Sequence, residues 1–397
     1  MKYNDRLIEK IYCILVAIYS FSSVLLSTYI DNLFFNYSQF YDFLRYTLIF
    51  AFLVIFILNI RCTKKTFAFI ILFCMFIGVV LMNNTDKSFL LIILILISFP
   101  KNMELQKMSK LLFDTNVFTI LLVAFLYKVG FINEYVFIQR GVTRHSLGFV
   151  SANALSNLIT STLLLHIYYK NDRWNIIKSL FWCIVLLLIY RLTYSRLALI
   201  LGMTSLIFIT FYKFIKNNKI IKNILFFCSK YIFPFLFMTL TLLTIYLSVK
   251  QMNSFFNEIN ELFSNRLCQM IDFYRKYGIH LLGQPIETVS IHYVAENGGV
   301  WLGLDTSYMN YLLRYGFIFM LLISYCYIKS GNFIKKKDLL IDAIYIIFIC
   351  IMGITENILL IPYYNLSMFI IIKCLYCYKD DSGGKYEKNN CKSNSKS

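Results

Sequence analysis

Apolar runs of membrane-crossing length follow one another along almost the whole chain, and one polar stretch, from Lys250 to about Asp305, interrupts them at length. A span needs about 20 apolar residues, or about 17 at the short end. Segments 11–30, 43–60, 66–82, 88–100, 111–127, 149–168, 179–190, 197–212, 231–249, 307–328, 339–355 and 358–378 fit, the fourth and seventh only by borrowing flanking residues. The seventh and eighth could form one broken hairpin. With 59% hydrophobic and 15% charged residues among 397, a soluble domain could not hide the apolar surface. The expected fold is therefore an all-α polytopic membrane protein of about twelve transmembrane helices. It divides into a bundle of nine spans (1–249), a long extracytoplasmic loop (250–306), three further spans (307–378) and a disordered polar tail (379–397).

The formal charge of +18 does not point to nucleic acid, because the basic residues alternate with the spans. Arg61, Lys64 and Lys65 follow the second span, and Lys101, Lys107 and Lys110 the fourth. Lys170, Arg173 and Lys178 follow the sixth, Lys213, Lys216, Lys219 and Lys222 the eighth, and Lys335, Lys336 and Lys337 the tenth. Basic connections face the cytoplasm, which puts both termini there. Of 11 cysteines only Cys268 falls outside, so no outer disulfide is expected within one chain. Cys374 and Cys377 form a C-x-x-C without a second pair or a nearby His, and no metal-ligand spacing, Gly-rich nucleotide loop or Ser-His-Asp order is present, so neither metal nor cofactor is expected. No internal repeat is visible, which weighs against most secondary transporter folds.

Four segments on the outer side carry chemically able side chains. Arg140 and Arg144 stand at the mouth of an unusually polar span, in which Ser146, Asn153, Ser156, Asn157 and Thr160 share a face at about 100° per residue. Lipid would not tolerate that face, so it points into the bundle, either for small-residue packing or to line a polar cavity. Ser195 and Arg196 open the eighth span. A cation in a first turn opposes the helix dipole unless an anion sits between it and the free N–H groups. In the long loop, residues 252–277 read as an amphipathic helix whose apolar stripe includes Phe256, Leu267, Met270, Ile271 and Phe273. Arg266 lies near the centre of that stripe and must face headgroups, a carboxylate of the bundle or a bound phosphate, the last being the reading preferred here. Asp305 precedes the tenth span, either as a helix cap or as a reactive carboxylate, with Tyr308 beside it. Ser307, Asn310 and Arg314 then share a face. His280 and His292 stand loose in the loop.

At these residues the chain resembles the Wzy-type bacterial polysaccharide polymerases, within the O-antigen ligase and polymerase group. Many spans, a late outer loop and a few final spans match the layout. Arg144-His145-Ser146-Leu147-Gly148-Phe149 is similar to the family's R-x-S-L-G-F, although the H-P-N that usually follows is here Ser151-Ala152-Asn153. Ser195-Arg196 is similar to the family's S-R. Asp305 to Gly316 is similar to D-N-x-Y followed by L and G, with Thr306 in place of Asn, and ligases of the group tend to have His where Asp305 stands.

The resemblance implies inverting glycosyl transfer without metal, from a glycan on undecaprenyl diphosphate to a lipid-linked repeat unit, giving capsular or other surface polysaccharide on the outer face of a bacterial cell membrane. Arg196 and Arg266, with Arg140 or Arg144, would hold the diphosphate. Asp305 would be the base, with Tyr308 beside it. Ser146, Asn153, Asn157, Ser195, Asn310 and Arg314 would line the glycan cavity. The bilayer and undecaprenyl-diphosphate-linked oligosaccharides are the expected partners. A flippase and a chain-length regulator are left open as companions. The rival readings are a lipid-linked oligosaccharide flippase and a ligase of the same group.

Overall fold

The computed structural model describes residues 2–30, 37–59, 88–134, 136–139, 141–249, 265–289 and 302–382, with isolated positions 78, 256, 258, 260, 261 and 294. The expected span 66–82, except residue 78, lies outside the described residues, as do Arg61, Lys64, Lys65, Arg140, His292 and the tail beyond Ser382.

The described chain is predominantly helical. In order come α1 (Lys2–Leu26), α2 (Tyr37–Asn59), α3 (Ser88–Ile97), α4 (Leu105–Lys128), a hairpin of β1 (Phe137–Gln139) and β2 (Val142–Arg144), α5 (Ala152–Lys170), α6 (Ile176–Thr193), α7 (Arg196–Thr210) and α8 (Tyr212–Asn217). Then follow α9 (Lys219–Val249), α10 (Arg266–Tyr277), α11 (Ser307–Tyr315), α12 (Phe317–Lys337), α13 (Leu340–Met352) and α14 (Ser367–Ser382). Six of them, α1, α2, α4, α6, α9 and α12, are long and apolar enough to cross a membrane. The apolar helices α3, α7, α13 and α14 are shorter. Outward faces are apolar too: Phe43, Phe50, Ile177, Phe227 and Phe235 are exposed. Such surfaces suit hydrocarbon rather than water.

The polar helix α5 is largely buried. Asn175 caps α6, and Ser151 caps α5 by accepting from the Ala154 N–H. Around α5 pack α4, α6, α7 and α13. Its hydroxyls mostly satisfy themselves: Ser156 donates to the Ala152 carbonyl, and Thr160 donates to Ser156 and, at 3.3 Å, to the Ala198 carbonyl of α7. Small-residue packing thus accounts for much of the face that the sequence marked as polar. The α6–α7 pair is two full helices turned at Tyr194, which adopts a left-handed conformation (φ 50°).

At one end two contacts tie connections together: Lys222 pairs with Asp338 at 2.9 Å, and Lys373 donates to the Met103 carbonyl. The hairpin, α10 and the loop between α13 and α14 lie at the other, the hairpin end. There two expected spans depart from simple helices. The stretch 307–328 breaks at Gly316 (φ 92°), and the backbone of the loop before it seals the break. Phe317 and Ile318 donate their N–H groups to His280 and Leu281, and Gln284 donates to the Arg314 carbonyl. A Cβ on Gly316 would sit 2.4 Å from the Gly283 nitrogen, so only glycine lets these backbones meet. The stretch 358–378 is helical only from Ser367; the residues before it are tied by side chains instead. Ser307 Oγ accepts from the Ile358 N–H, Tyr311 OH from Leu360 and Tyr345 OH from Leu366. Buried backbone that is not helical requires partners of this kind. At the far end, α14 continues to Ser382, past the point where a disordered tail was expected to begin.

Candidate functional site: an acid–arginine cluster at the hairpin end

The amphipathic stripe of the long loop is realised in α10, where Leu267, Met270, Ile271 and Phe273 are buried and Asp272, Arg275 and Lys276 are exposed. It packs against α9 and α11, and Arg266 enters the interior with it. The Nε of Arg266 donates to the Thr355 carbonyl at 2.6 Å, and Nη2 donates to Glu356 Oε1 at 2.6 Å. Asp305 Oδ2 lies 3.7 Å from the same Nη2. Of the alternatives open for Arg266, the structure realises the bundle carboxylate. Its fork is filled by protein, which corrects the expectation of a phosphate there.

Asp305 does not cap α11 either: Thr306 occupies that position and makes no side-chain cap bond. The Asp305 carboxylate is one-third exposed beside a nearly buried Glu356. Desolvation pushes Glu356 up to about 7, against the attraction of Arg266, with the nearby Asp305 charge raising it further and Asn157 hydrogen bonding opposing. Desolvation raises Asp305 as well, again opposed by Arg266.

Residues next to this cluster in the chain carry buried oxygens without hydrogen-bond partners. Thr306 Oγ1 adjoins Asp305 in sequence, Thr355 Oγ1 and Asn357 Oδ1 flank Glu356, and Gln269 Oε1 stands one turn along α10 from Arg266. Unsatisfied buried polar atoms are rare in folded proteins. These four belong to residues one to three positions from the three charged groups, and each oxygen can accept from a hydroxyl donor.

A second cluster joins it through α5. Arg144 donates from Nε to the Thr193 carbonyl and from Nη2 to Asn153 Oδ1, each at 2.6 Å. Asn153 and Asn157 are one turn apart, so Arg144 and Glu356 meet the same helix about 6 Å apart along its axis. Glu134 organises the turn: it accepts from Tyr127 OH and the N–H groups of Ser146 and Leu147, and contacts His145 Nδ1 at 2.8 Å. These hydrogen bonds hold its carboxyl below the ordinary glutamate range although burial opposes them. Leu147 and Gly148 both take positive φ in this turn (50° and 88°).

Arg196 is exposed at the first turn of α7. Ser195 is at the cap position, buried, and makes no cap hydrogen bond with its side chain. Because Thr160 reaches the Ala198 carbonyl, Ser195 is level with Asn157. Arg144, Arg196 and Arg266 therefore all lie around the same end of α5. Asn310 and Arg314 bond to each other, Nε to Oδ1 at 2.7 Å, and Arg314 also reaches Thr288. Ser146 is fully buried, its Oγ without a partner. Tyr308 points elsewhere. It is fully buried, donates to the Cys350 carbonyl at 2.9 Å and packs on Phe233, which removes it from the reactive pair expected with Asp305. Ser307 likewise serves the loop between α13 and α14, donating to the Glu356 carbonyl.

Glu356 and Glu134 were not singled out in the sequence. The available signal for Glu356 was a lone acid between Thr355 and Asn357, separating two apolar runs on the side assigned to Arg266. Among the described residues no three His, Cys, Asp or Glu side chains converge as metal ligands would. Comparison with family models, characterised proteins and solved structures finds no match to this chain.

Proposed function

We propose that this chain is a membrane-embedded glycosyltransferase that joins undecaprenyl-diphosphate-linked oligosaccharide repeat units into a surface polysaccharide. The observation that carries the reading is the Asp305–Arg266–Glu356 cluster, with unsatisfied buried oxygens on the neighbouring residues Gln269, Thr306, Thr355 and Asn357. A sugar offers hydroxyl donors to such acceptors, and a carboxyl with a raised pKa suits a general base near neutral pH. In the proposed step the acceptor hydroxyl attacks the anomeric carbon of the donor from the face opposite the diphosphate. The carbon–oxygen bond to the diphosphate breaks, and the lipid diphosphate leaves with that electron pair. Asp305, the more accessible acid, takes the hydroxyl proton and releases it to water. Arg266 and Glu356 hold Asp305 in place and tune it. Arg196 meets the leaving diphosphate with its guanidinium and the uncapped first turn of α7. In this reading about twelve spans cross a bacterial cell membrane, both termini are cytoplasmic and the cluster opens outward.

Complementation of a deletion strain tests the assignment. Asp305→Asn is expected to give normal protein levels and no long chains, while Tyr308→Phe keeps chain growth. Full-length polymer from Asp305→Asn would sink the proposed base. A transporter of lipid-linked oligosaccharide is favoured by one observation, the broken α11–α12 helix beside the cluster, since discontinuous helices line many transport sites. In that case lipid-linked units accumulate on the cytoplasmic face when the protein is absent.

A further inference from the structure

Arg45 lies on the buried stripe of α2 formed with Tyr41, Leu48, Phe52 and Ile55. That stripe faces α1. Tyr41 OH meets Ser23 Oγ at 3.0 Å, and the Tyr12 and Phe52 rings are 5.7 Å apart. These two contacts set an antiparallel register in which Arg45, four residues on from Tyr41, is level with Tyr19 and Ser20, four and three residues back from Ser23. The Arg45 side chain is 94% buried. Its Nη1 pairs with Asp42 at 3.0 Å, but Nε and Nη2 have no hydrogen-bond partner among the described residues. Ser20 Oγ, fully buried on the opposing helix, also has none.

The two idle nitrogens are the parallel fork with which arginine grips a pair of oxygens. At four other described arginines that fork is filled: Arg144 uses it on Thr193 and Asn153, Arg266 on Thr355 and Glu356, Arg275 on Ser248, and Arg314 on Asn310 and Thr288. A buried guanidinium with an open fork in an apolar helix calls for a partner. The Asp42 side of the cluster is half-exposed, and Phe43 and Tyr46 beside it are exposed on the lateral apolar face. Nε and Nη2 themselves are closed off, so an anion from the surroundings of α2 gains them only as the side chains at this edge move aside.

We propose that Arg45, with Ser20, forms a binding site for a phosphate-class oxyanion between α1 and α2, distinct from the acid–arginine cluster. The inference does not rest on the proposed glycosyl transfer. Two sources share this chemistry, a lipid phosphate arriving from the bilayer and a soluble phosphate.

The test uses the purified full-length chain in a maltoside detergent, with dioleoyl phosphatidate in mixed micelles and inorganic pyrophosphate as separate probes. Wild-type protein is expected to bind one probe saturably. Arg45→Met should weaken that binding at least about tenfold, and Arg45→Lys, which keeps the charge but not the fork, should also weaken it. Phosphatidate binding alone identifies a lipid source, and pyrophosphate binding alone a soluble one. Either supports the site. No saturable binding to wild type, or binding unchanged by Arg45→Met, overturns it. Should the variants fail to fold, a cryo-electron microscopy map of wild type purified with phosphatidate decides. Phosphate density on Nε and Nη2 supports the site, and density of water size alone refutes it.

Discussion

Replacing Arg266 by Met keeps the length of the side chain and removes the one cation of the Asp305–Glu356 cluster among the described residues. Breaking a buried ion pair by deleting one partner costs about 3–5 kcal/mol, because the other charge stays behind. The penalty should depend on pH. Glu356 is pushed up to about 7 in the fold, whereas an unfolded glutamate ionises near about 4.3. Its contribution to stability is therefore fully present below about 4.3 and lost as pH rises through 7. Arg266 is what holds the two carboxyls down. Without it both rise further, so the variant loses more than wild type as pH increases. At pH 5 Glu356 is largely protonated in either protein. The deficit should then shrink to about 1–2 kcal/mol, the loss of the bond to the Thr355 carbonyl and of packing. Equilibrium unfolding in detergent micelles, compared between wild type and Arg266→Met from pH 5 to pH 8, measures the difference. A deficit of equal size at both ends would refute the electrostatic account and leave Arg266 as a packing residue only.

Gly316→Ala should destabilise by at least about 2 kcal/mol, since a Cβ would meet the Gly283 and Leu281 backbone at 2.4 Å and the residue holds φ 92°; a melting point within a degree of wild type would contradict the backbone crossing. Glu134→Gln should cost about 1–3 kcal/mol through the weakened acceptor for Tyr127, His145 and two N–H groups. Because the Glu134 carboxyl is held low, its contribution in wild type is present above the ordinary glutamate range and disappears as pH falls through its own lower value. Thermal unfolding of the two proteins should therefore converge at acid pH, and a gap that persists there would show that shape rather than charge matters at Glu134.

Legibility in the sequence followed the range of the interaction. The helix faces were readable because periodicity is local: the buried side of α10 and the polar side of α5 both follow from spacing along one helix. Arg266 announced itself as a charge inside an apolar stripe, but its partner could not be read, since Glu356 lies 90 residues away and only the packing of α10 against α11 brings the loop after α13 within reach. The break at Gly316 was hidden for a similar reason. A single glycine between Tyr315 and Phe317 reads as a tolerated residue of a span, and its function depends on Gly283 crossing it. Tyr308 was misread as reactive because adjacency to Asp305 does not fix direction: one residue inside the helix its ring turns to Phe233, while the Asp305 carboxylate stays outside with Arg266.

Chain growth from lipid-linked units would be read in the size distribution of surface glycan from cells lacking this protein. Single repeat units are expected in place of long chains, with long chains restored by the wild-type protein and not by Asp305→Asn. Unchanged chain length in the deletion strain, or lipid-linked units trapped on the cytoplasmic face, would contradict it.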